Sequence, residues 1–523
     1  MVVGRTLSAW RGFLYSQLMA YDKSKRHGMA ISEQTFFLDT ASQGSLQQQI
    51  RQMIAAGILS GRFRAGEKLP SSRRLAAHLG VSRITVTLAY NELIADDYLT
   101  SAGRSGYYVS ASAPAPPQTP PEHEREDRVD WAKAIPRRYS GGRSVDKPLD
   151  WRRYRYPFLY GQADPTLFDH QNWRLCALQA MGQRDFDSLT TDQGSRDDPM
   201  LVEFIARHTL PRRGILARPD EILITAGAQN ALWMAAQLLL ASGKLAAFED
   251  PCYPGLRDIL RQSGCEVAPL AVDEDGLDPA LIPARSTVVF TTPSHQCPTA
   301  ATMPLARRRA LLQAASEQDF LVVEDDYEFE MSFLHAPSPA LKSLDREGRV
   351  IHVGSFSKSL FPGLRLGYLV GSATFIAEAR ALRSAVLRHL PGHVQRTVAY
   401  FLSLGHYDAL IRRLRLAFED RRRVMERALR THGLTIAGRG AFGGSSFWMQ
   451  AEDGIDTEIL AAKLKERDVL IEPGGPFFHR EGQKSYYRLA YSSITTDRIG
   501  PGVALIADEI AAMRAGGYST KSV

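Results

Sequence analysis

Five prolines within eight positions, Pro114, Pro116, Pro117, Pro120 and Pro121, run straight into the charged stretch 122–128, and this break constrains the fold more than any other feature. Proline removes a backbone donor and the neighbours are polar, so no packed core forms there and a stiff extended segment rising ~3 Å per residue is expected. The lean composition continues through Gly141, Gly142 and Arg143, and residues 113–150 read as a linker. It separates a small domain, 36–112, from a body, 151–523. Residues 1–35 read as a disordered extension, with Met29 as an alternative start of translation; N-terminal sequencing of native protein beginning at Met1 would reject that alternative. A length of 523 residues fits about three compact units. With 44% hydrophobic and 23% charged residues, collagen-like, bare coiled-coil and wholly disordered chains are excluded.

Charge is unevenly divided. Of the 64 Lys and Arg and 57 Asp and Glu, residues 1–112 hold 13 and 7, and the remainder holds 51 and 50. The basic excess therefore sits in the first fifth of the chain, where it suits a polyanion or simply a solvated basic surface. Cys176, Cys252, Cys265 and Cys297 show no metal-ligand or disulfide-framework spacing. The longest apolar run, 231–241, is interrupted by Gln237 and falls short of the ~20 residues that cross a bilayer. No signal-peptide pattern opens the chain, so a cytoplasmic protein without a metal is expected.

In the small domain, Leu46, Ile50, Ile54 and Ile58 recur at helical spacing until Gly61 and Gly66 break the pattern. Pro70-Ser71-Ser72-Arg73 opens a second helix with a capping serine, carrying Leu75 and Leu79 inward. After the Gly80-Val81-Ser82 turn, a third helix places Val86, Ala89, Tyr90 and Leu93 on one face. Its first turn presents Ser82, Arg83 and Thr85, residue types that reach phosphates and base edges. Two short strands, about 98–101 and 106–110, then pinch around Ala102-Gly103-Arg104-Ser105. Helix, helix, turn, helix, hairpin is a winged helix-turn-helix, with the third helix suited to the major groove.

The body alternates strand-like and helix-like segments. Strands are expected at about 221–225, 287–291, 320–324 and 350–353, which implies an α/β fold with a mainly parallel sheet. Ser355-Phe356-Ser357-Lys358, with Arg365 seven residues on, sets a lysine among phosphate-binding groups. A lysine joined to pyridoxal phosphate as a Schiff base needs such a cradle. Asp325, at the end of an apolar strand, can keep a pyridine nitrogen protonated. Ala228 and Gln229 open a helix whose free N–H groups suit a phosphate. Tyr253 offers a ring for stacking. Taken singly, each of these also fits a surface lysine, a capping acid or a packed tyrosine.

The string from Ala65 to Val109 resembles the DNA-binding head of the GntR family, and the body resembles fold-type I aminotransferases. The latter resemblance implies a smaller α+β C-terminal subdomain beside the parallel sheet. The two together resemble the MocR subgroup of GntR regulators. That resemblance implies a pyridoxal-phosphate-dependent, DNA-binding transcription regulator. It would sense an amino compound, or the cofactor itself, through an aldimine at Lys358. Asp325 would then pair with the ring nitrogen, Tyr327 would bond the ring hydroxyl and Tyr253 would stack on the ring. Ala228, Gln229, Ser355, Ser357 and Arg365 would hold the phosphate, and Arg488 would clamp an effector carboxylate. Arg73, Ser82, Arg83, Thr85 and Arg104 would contact double-stranded DNA with paired half-sites. The resemblance further implies a head-to-tail homodimer and an effector among γ-aminobutyrate, taurine, ectoine-derived diamino acids or the cofactor.

Several positions depart from the families. Asp97 stands where glycine is usual before the wing, Ala163 replaces a common proline, and Ala300 ends a Pro-Thr-Gly-type turn. Cys297 replaces an asparagine that would bond the ring hydroxyl. These changes weigh against physiological turnover, and an active aminotransferase with an appended DNA-binding head is the alternative. The basic run from Arg412 to Arg430 reads as a solvated helix face.

Overall fold

The computed structural model describes residues 30–39, 44–114, 129–135, 139–438, 440 and 442–515. The chain divides into two compact units between Ala134 and Ile135. In the first, Ser45 caps α1 (Leu46–Leu59) through a reciprocal bond pattern with Gln48, and Ile50, Ile54 and Ile58 are buried while Leu46 is exposed. Helix α2 (Ser72–Leu79) starts where Ser71 Oγ accepts from the Arg74 N–H at 3.3 Å and stops at Gly80, whose φ is 66°. Helix α3 (Arg83–Ala95) buries Val86, Ala89, Tyr90 and Leu93. Strands β1 (Leu99–Ser101) and β2 (Tyr107–Val109) pair antiparallel, Leu99 opposite Val109, and form the wing. Asp97 sits at φ 60°, which explains why glycine suits that position and why a short acid can replace it.

Two boundaries differ from the sequence reading. Residues 30–35, assigned to the extension, are part of the domain: Ile31 is buried, its N–H donates to Lys68 O at 2.8 Å, and Glu33 pairs with Arg74 at 2.7 Å. Residues 1–29 lie outside the described residues. The end of the segment read as linker packs on the body, where Arg143 Nη2 donates to Gly475 O at 2.5 Å and Lys147 Nζ to Tyr160 O at 2.6 Å. Composition hides this, because two of the partners, Gly475 for Arg143 and Glu472 for Lys147, are hundreds of residues away.

The body is built on an eight-stranded sheet. Its strands are β3 (Ile222–Thr225), β4 (Leu245–Asp250), β5 (Glu266–Asp273), β6 (Gly276–Leu277), β7 (Val288–Thr291), β8 (Leu321–Asp326), β9 (Val350–Ser355) and β10 (Gly367–Val370). Their spatial order is β3-β10-β9-β8-β7-β4-β5-β6. Neighbours from β9 through β5 are parallel, and β10 runs antiparallel to both β9 and β3. Both faces are covered, so strand residues alternate between two apolar cores. Val323 joins Leu232, Phe248 and Phe290 on one side, and Val322 joins Leu311, Phe320 and Val350 on the other. A second sheet of β11 (Thr435–Ile436), β12 (Ser446–Gln450), β13 (Glu472–Pro473) and β14 (Tyr486–Ala490) has the order β11-β12-β14-β13.

Between Gly227 and Leu239 the chain leaves β3 and enters α4 (Ala228–Leu239) through a left-handed glycine, φ 81°. Helix α5 (His406–Thr431) carries the basic run, and its reading as a solvated face needs correction. Arg421 and Arg422 are buried: Arg421 binds Asp164 and Ser492 O, and Arg422 donates to Gly443 O at 2.9 Å. A buried arginine is tolerated only with such partners.

Candidate functional site

The turns leaving the carboxyl ends of β3, β4, β8 and β9 converge, and side chains from β14 face them. Open parallel sheets place ligands at this edge. A cavity of about 430 Å³ lies there, lined by Lys358, Asp325, Tyr327, Tyr253, Ala228, Gln229, Ser355, Ser357, Arg365 and Arg488. All ten body residues singled out in the sequence thus share one cavity. Sequence reading did not reach Tyr160, Phe477 and Lys147, which line it too.

Strand geometry selects among the three consecutive acids of β8. Successive side chains alternate faces, so Glu324 and Asp326 point away from the cavity and Asp325 points into it. Asp326 meets Arg213 Nε at 2.6 Å, and Glu324 meets His352 Nδ1 at 3.1 Å. Asp325 Oδ1 is buried with no hydrogen-bond partner. Burial, then Asp326 and Glu249 nearby, push its pKa up to about 7. Such a carboxyl lacks a cationic partner, and a ring N–H⁺ in the cavity would supply one.

Lys358 Nζ lies 4.2 Å from the centroid of the Tyr160 ring, in space that Gly161 leaves open: a Cβ there would fall on Nζ, and Gly161 holds φ 72°. Asp164, anchored by Arg421, fixes the loop that carries Gly161. Burial first, and then the charge of Lys147, lower the Lys358 pKa to about 8. Glu328, missed by sequence reading, is buried beside this lysine and accepts from Tyr160 Oη at 3.1 Å and from Ser445.

Opposite, Ser357 N–H donates to Ser355 Oγ at 3.2 Å, and Arg365 Nη2 donates to Ala226 O at 3.2 Å. A Cβ on Gly227 would sit 3.4 Å from the Arg365 guanidinium, so the bare glycine lets the arginine approach the start of α4. Tyr253 Oη donates to Gln229 Oε1 at 3.3 Å, and its ring overlies Gly255. Hydroxyls, an arginine and unpaired N–H groups of a helix's first turn together suit a phosphate.

The Arg488 guanidinium is sandwiched between the rings of Tyr160 (4.0 Å) and Phe477 (4.6 Å), and its Nε donates to Glu472 Oε2 at 2.6 Å. Tyr327 is half-buried, and loss of solvent around its hydroxyl raises its pKa well above the ordinary phenol value. Burial also pushes Cys297 up to about 11, so it stands beside the cavity as a neutral thiol. Ala300 has φ 59°, which explains the glycine usual at that turn.

On the head, Arg73 and Arg83 are exposed on α2 and α3, and Arg83 Nε lies 3.4 Å from Ser72 Oγ. Ser82 caps α3, accepting from Thr85 N–H at 3.1 Å while its hydroxyl meets Thr85 Oγ1 at 2.8 Å. Arg104 lies in the wing turn, its side chain outside the described residues. No helix among the described residues is long and apolar enough to cross a membrane.

Residues 167–504 match the family Aminotransferase class I and II, and residues 46–109 match Bacterial regulatory proteins, gntR family. The HTH-type transcriptional regulator TauR of Rhodobacter capsulatus is 60% identical across 92% of this chain and 99% of its own. The Probable rhizopine catabolism regulatory protein MocR of Rhizobium meliloti is 29% identical across 92% and 97%. Among solved structures, LysN, an alpha-aminoadipate aminotransferase of Thermus thermophilus, matches with TM-score 0.67 and 27% identity over 74% of this chain and 100% of that one. The Pyrococcus horikoshii kynurenine aminotransferase, solved with PMP, matches at TM-score 0.64 and 26% identity over 68% and 90%.

Proposed function

The chain belongs to the MocR subgroup of the GntR family of transcription regulators, with a pyridoxal-phosphate-dependent aminotransferase-like body behind a DNA-binding head, and from that premise we propose that the body senses an amino compound and re-aims the head on DNA. One observation carries this reading. Ten residues from separate strands, turns and a helix start line a single cavity in which Asp325 Oδ1 is buried and unpaired.

When bound, pyridoxal phosphate supplies a carbonyl carbon that condenses with primary amines and an electron-withdrawing ring. Lys358 would hold it covalently through Nζ, and an amine near pKa 8 exchanges its proton readily at neutral pH. Asp325 would keep the ring nitrogen's proton. Ser355, Ser357, Arg365 and the Ala228 and Gln229 N–H groups would hold the phosphate. Tyr327 would bond the ring hydroxyl, with the Cys297 thiol offering little beside it, and Tyr253 would stack. Arg488 would receive the acid group of an incoming amino compound.

The acting form is a cytoplasmic homodimer, arranged head-to-tail, whose two heads address paired half-sites. Two linked heads raise affinity through effective concentration. Arg73, Ser82, Arg83, Thr85 and Arg104 would face the DNA. The effector shifts the regulator only as far as its affinity differs between the two arrangements.

The test is a titration of the DNA upstream of its own gene at fixed salt, with cofactor and a panel of amines. An affinity that changes several-fold with one amine is expected; binding that ignores every amine would contradict the sensor. The lysine, aspartate and arginine set favours a second reading, an active aminotransferase. Multiple turnovers with an amino donor and a keto acid would establish it.

A further inference from the structure

Resting on that reading, the geometry points to Lys147 as the second cation of the acid-binding subsite. Lys147 stands on the segment that joins head to body, and sets the preference for anionic amino compounds. Three charged groups meet at one place. Glu472 is fully buried, with Oε2 on Arg488 Nε at 2.6 Å and Oε1 on Lys147 Nζ at 2.8 Å. Among the described residues no protein acceptor takes the terminal nitrogens of Arg488, which line the cavity. Were Glu472 and Arg488 alone, they would form a neutral pair. An acid arriving at Arg488 would then bury a second negative charge beside the first, and an uncompensated buried charge is costly. With Lys147 sharing the carboxylate, the cluster carries one net positive charge toward the cavity, and an acid group neutralises it.

Lys147 is held for this role. Its Nζ also donates to Tyr160 O at 2.6 Å, Arg143 ties the same segment to Gly475 O, and Val145 packs with Cys297 and Phe477. Ser144, Val145 and Lys147 line the cavity, and the Lys147 charge is second only to burial in lowering the Lys358 pKa. Acid binding is thereby felt on the chain that leads to the head.

The experiment uses cofactor-loaded full chain and reads the cofactor's absorption spectrum during titration with 3-aminopropanoate and with n-propylamine, which lacks the acid. Lys147→Gln should weaken 3-aminopropanoate on the order of tenfold, in line with removal of one partner from a desolvated charge cluster. It should leave n-propylamine within about threefold, and Lys147→Arg should restore most of the preference. Unchanged affinity of Lys147→Gln for 3-aminopropanoate, or equal weakening of both probes, would overturn the inference. A wild-type spectrum that responds to neither amine would overturn the cofactor reading, and this inference with it.

Discussion

At Asp325 a carboxyl oxygen is buried near other acids with no hydrogen-bond partner, and at Lys358 an amine sits, half-buried, where a cation is disfavoured. Each is poorly placed alone and well placed around a shared ligand. Replacing Asp325 with Ala should weaken cofactor binding by about 2 kcal/mol, the worth of a hydrogen bond to a charged group, or roughly thirtyfold. Equilibrium dialysis showing less than a threefold loss would contradict the pairing. Lys358 gives a pH prediction with a definite sign. Its amine must be neutral to attack, and it becomes neutral as pH rises through about 8 rather than through the ordinary lysine range. Cofactor loading of the empty protein should therefore quicken from pH 7 and level off above about 8, as followed by stopped-flow absorbance. A rate still climbing at pH 10 would show an unperturbed lysine. Asp325 was legible from its place at the carboxyl end of an apolar strand together with the family resemblance, and the fold adds the reason that it, rather than Glu324 or Asp326, faces the ligand edge. Lys147 was not, because its tie to Glu472 spans most of the body and leaves no local pattern.

At the scale of elements, caps and turns carried the reading of the head. Ser71, Gly80 and Ser82 are local signals, and the helices begin and end at them. The wing survives Asp97 because one left-handed residue can be a short acid. Ser82 caps α3 and, in the proposed reading, also faces DNA, and substitution separates the two roles. Aspartate caps as well as serine does, so Ser82→Asp should keep the helix, yet it sets a negative charge toward phosphate. DNA affinity of the full chain should fall at least ~10-fold with unchanged circular dichroism. Retained affinity would remove the start of α3 from the interface. Helix α5 shows where element-level reading fails. An arginine-rich periodicity looks solvated, but Arg421 and Arg422 are buried against loop carbonyls and Asp164, partners that only the tertiary fold supplies.

For the whole molecule, the proline break, the basic head and the alternating body were legible because each is a property of long stretches. The join was not: residues 143–147 read as linker, yet Ser144, Val145 and Lys147 line the cofactor cavity and Arg143 is tied to Gly475 O. The segment leading to the DNA-binding domain thus ends at the cofactor cavity. The central claim is that an amine acting at Lys358 changes how the heads hold DNA. The most direct measurement compares wild-type and Lys358→Ala protein on the DNA upstream of the gene, at fixed salt, with cofactor present and with and without the amine to which wild type responds. The account predicts that Lys358→Ala still binds that DNA, within about threefold of wild type, because the lysine is not in the head, and that the amine no longer changes its affinity. An amine response of equal size in Lys358→Ala would contradict it.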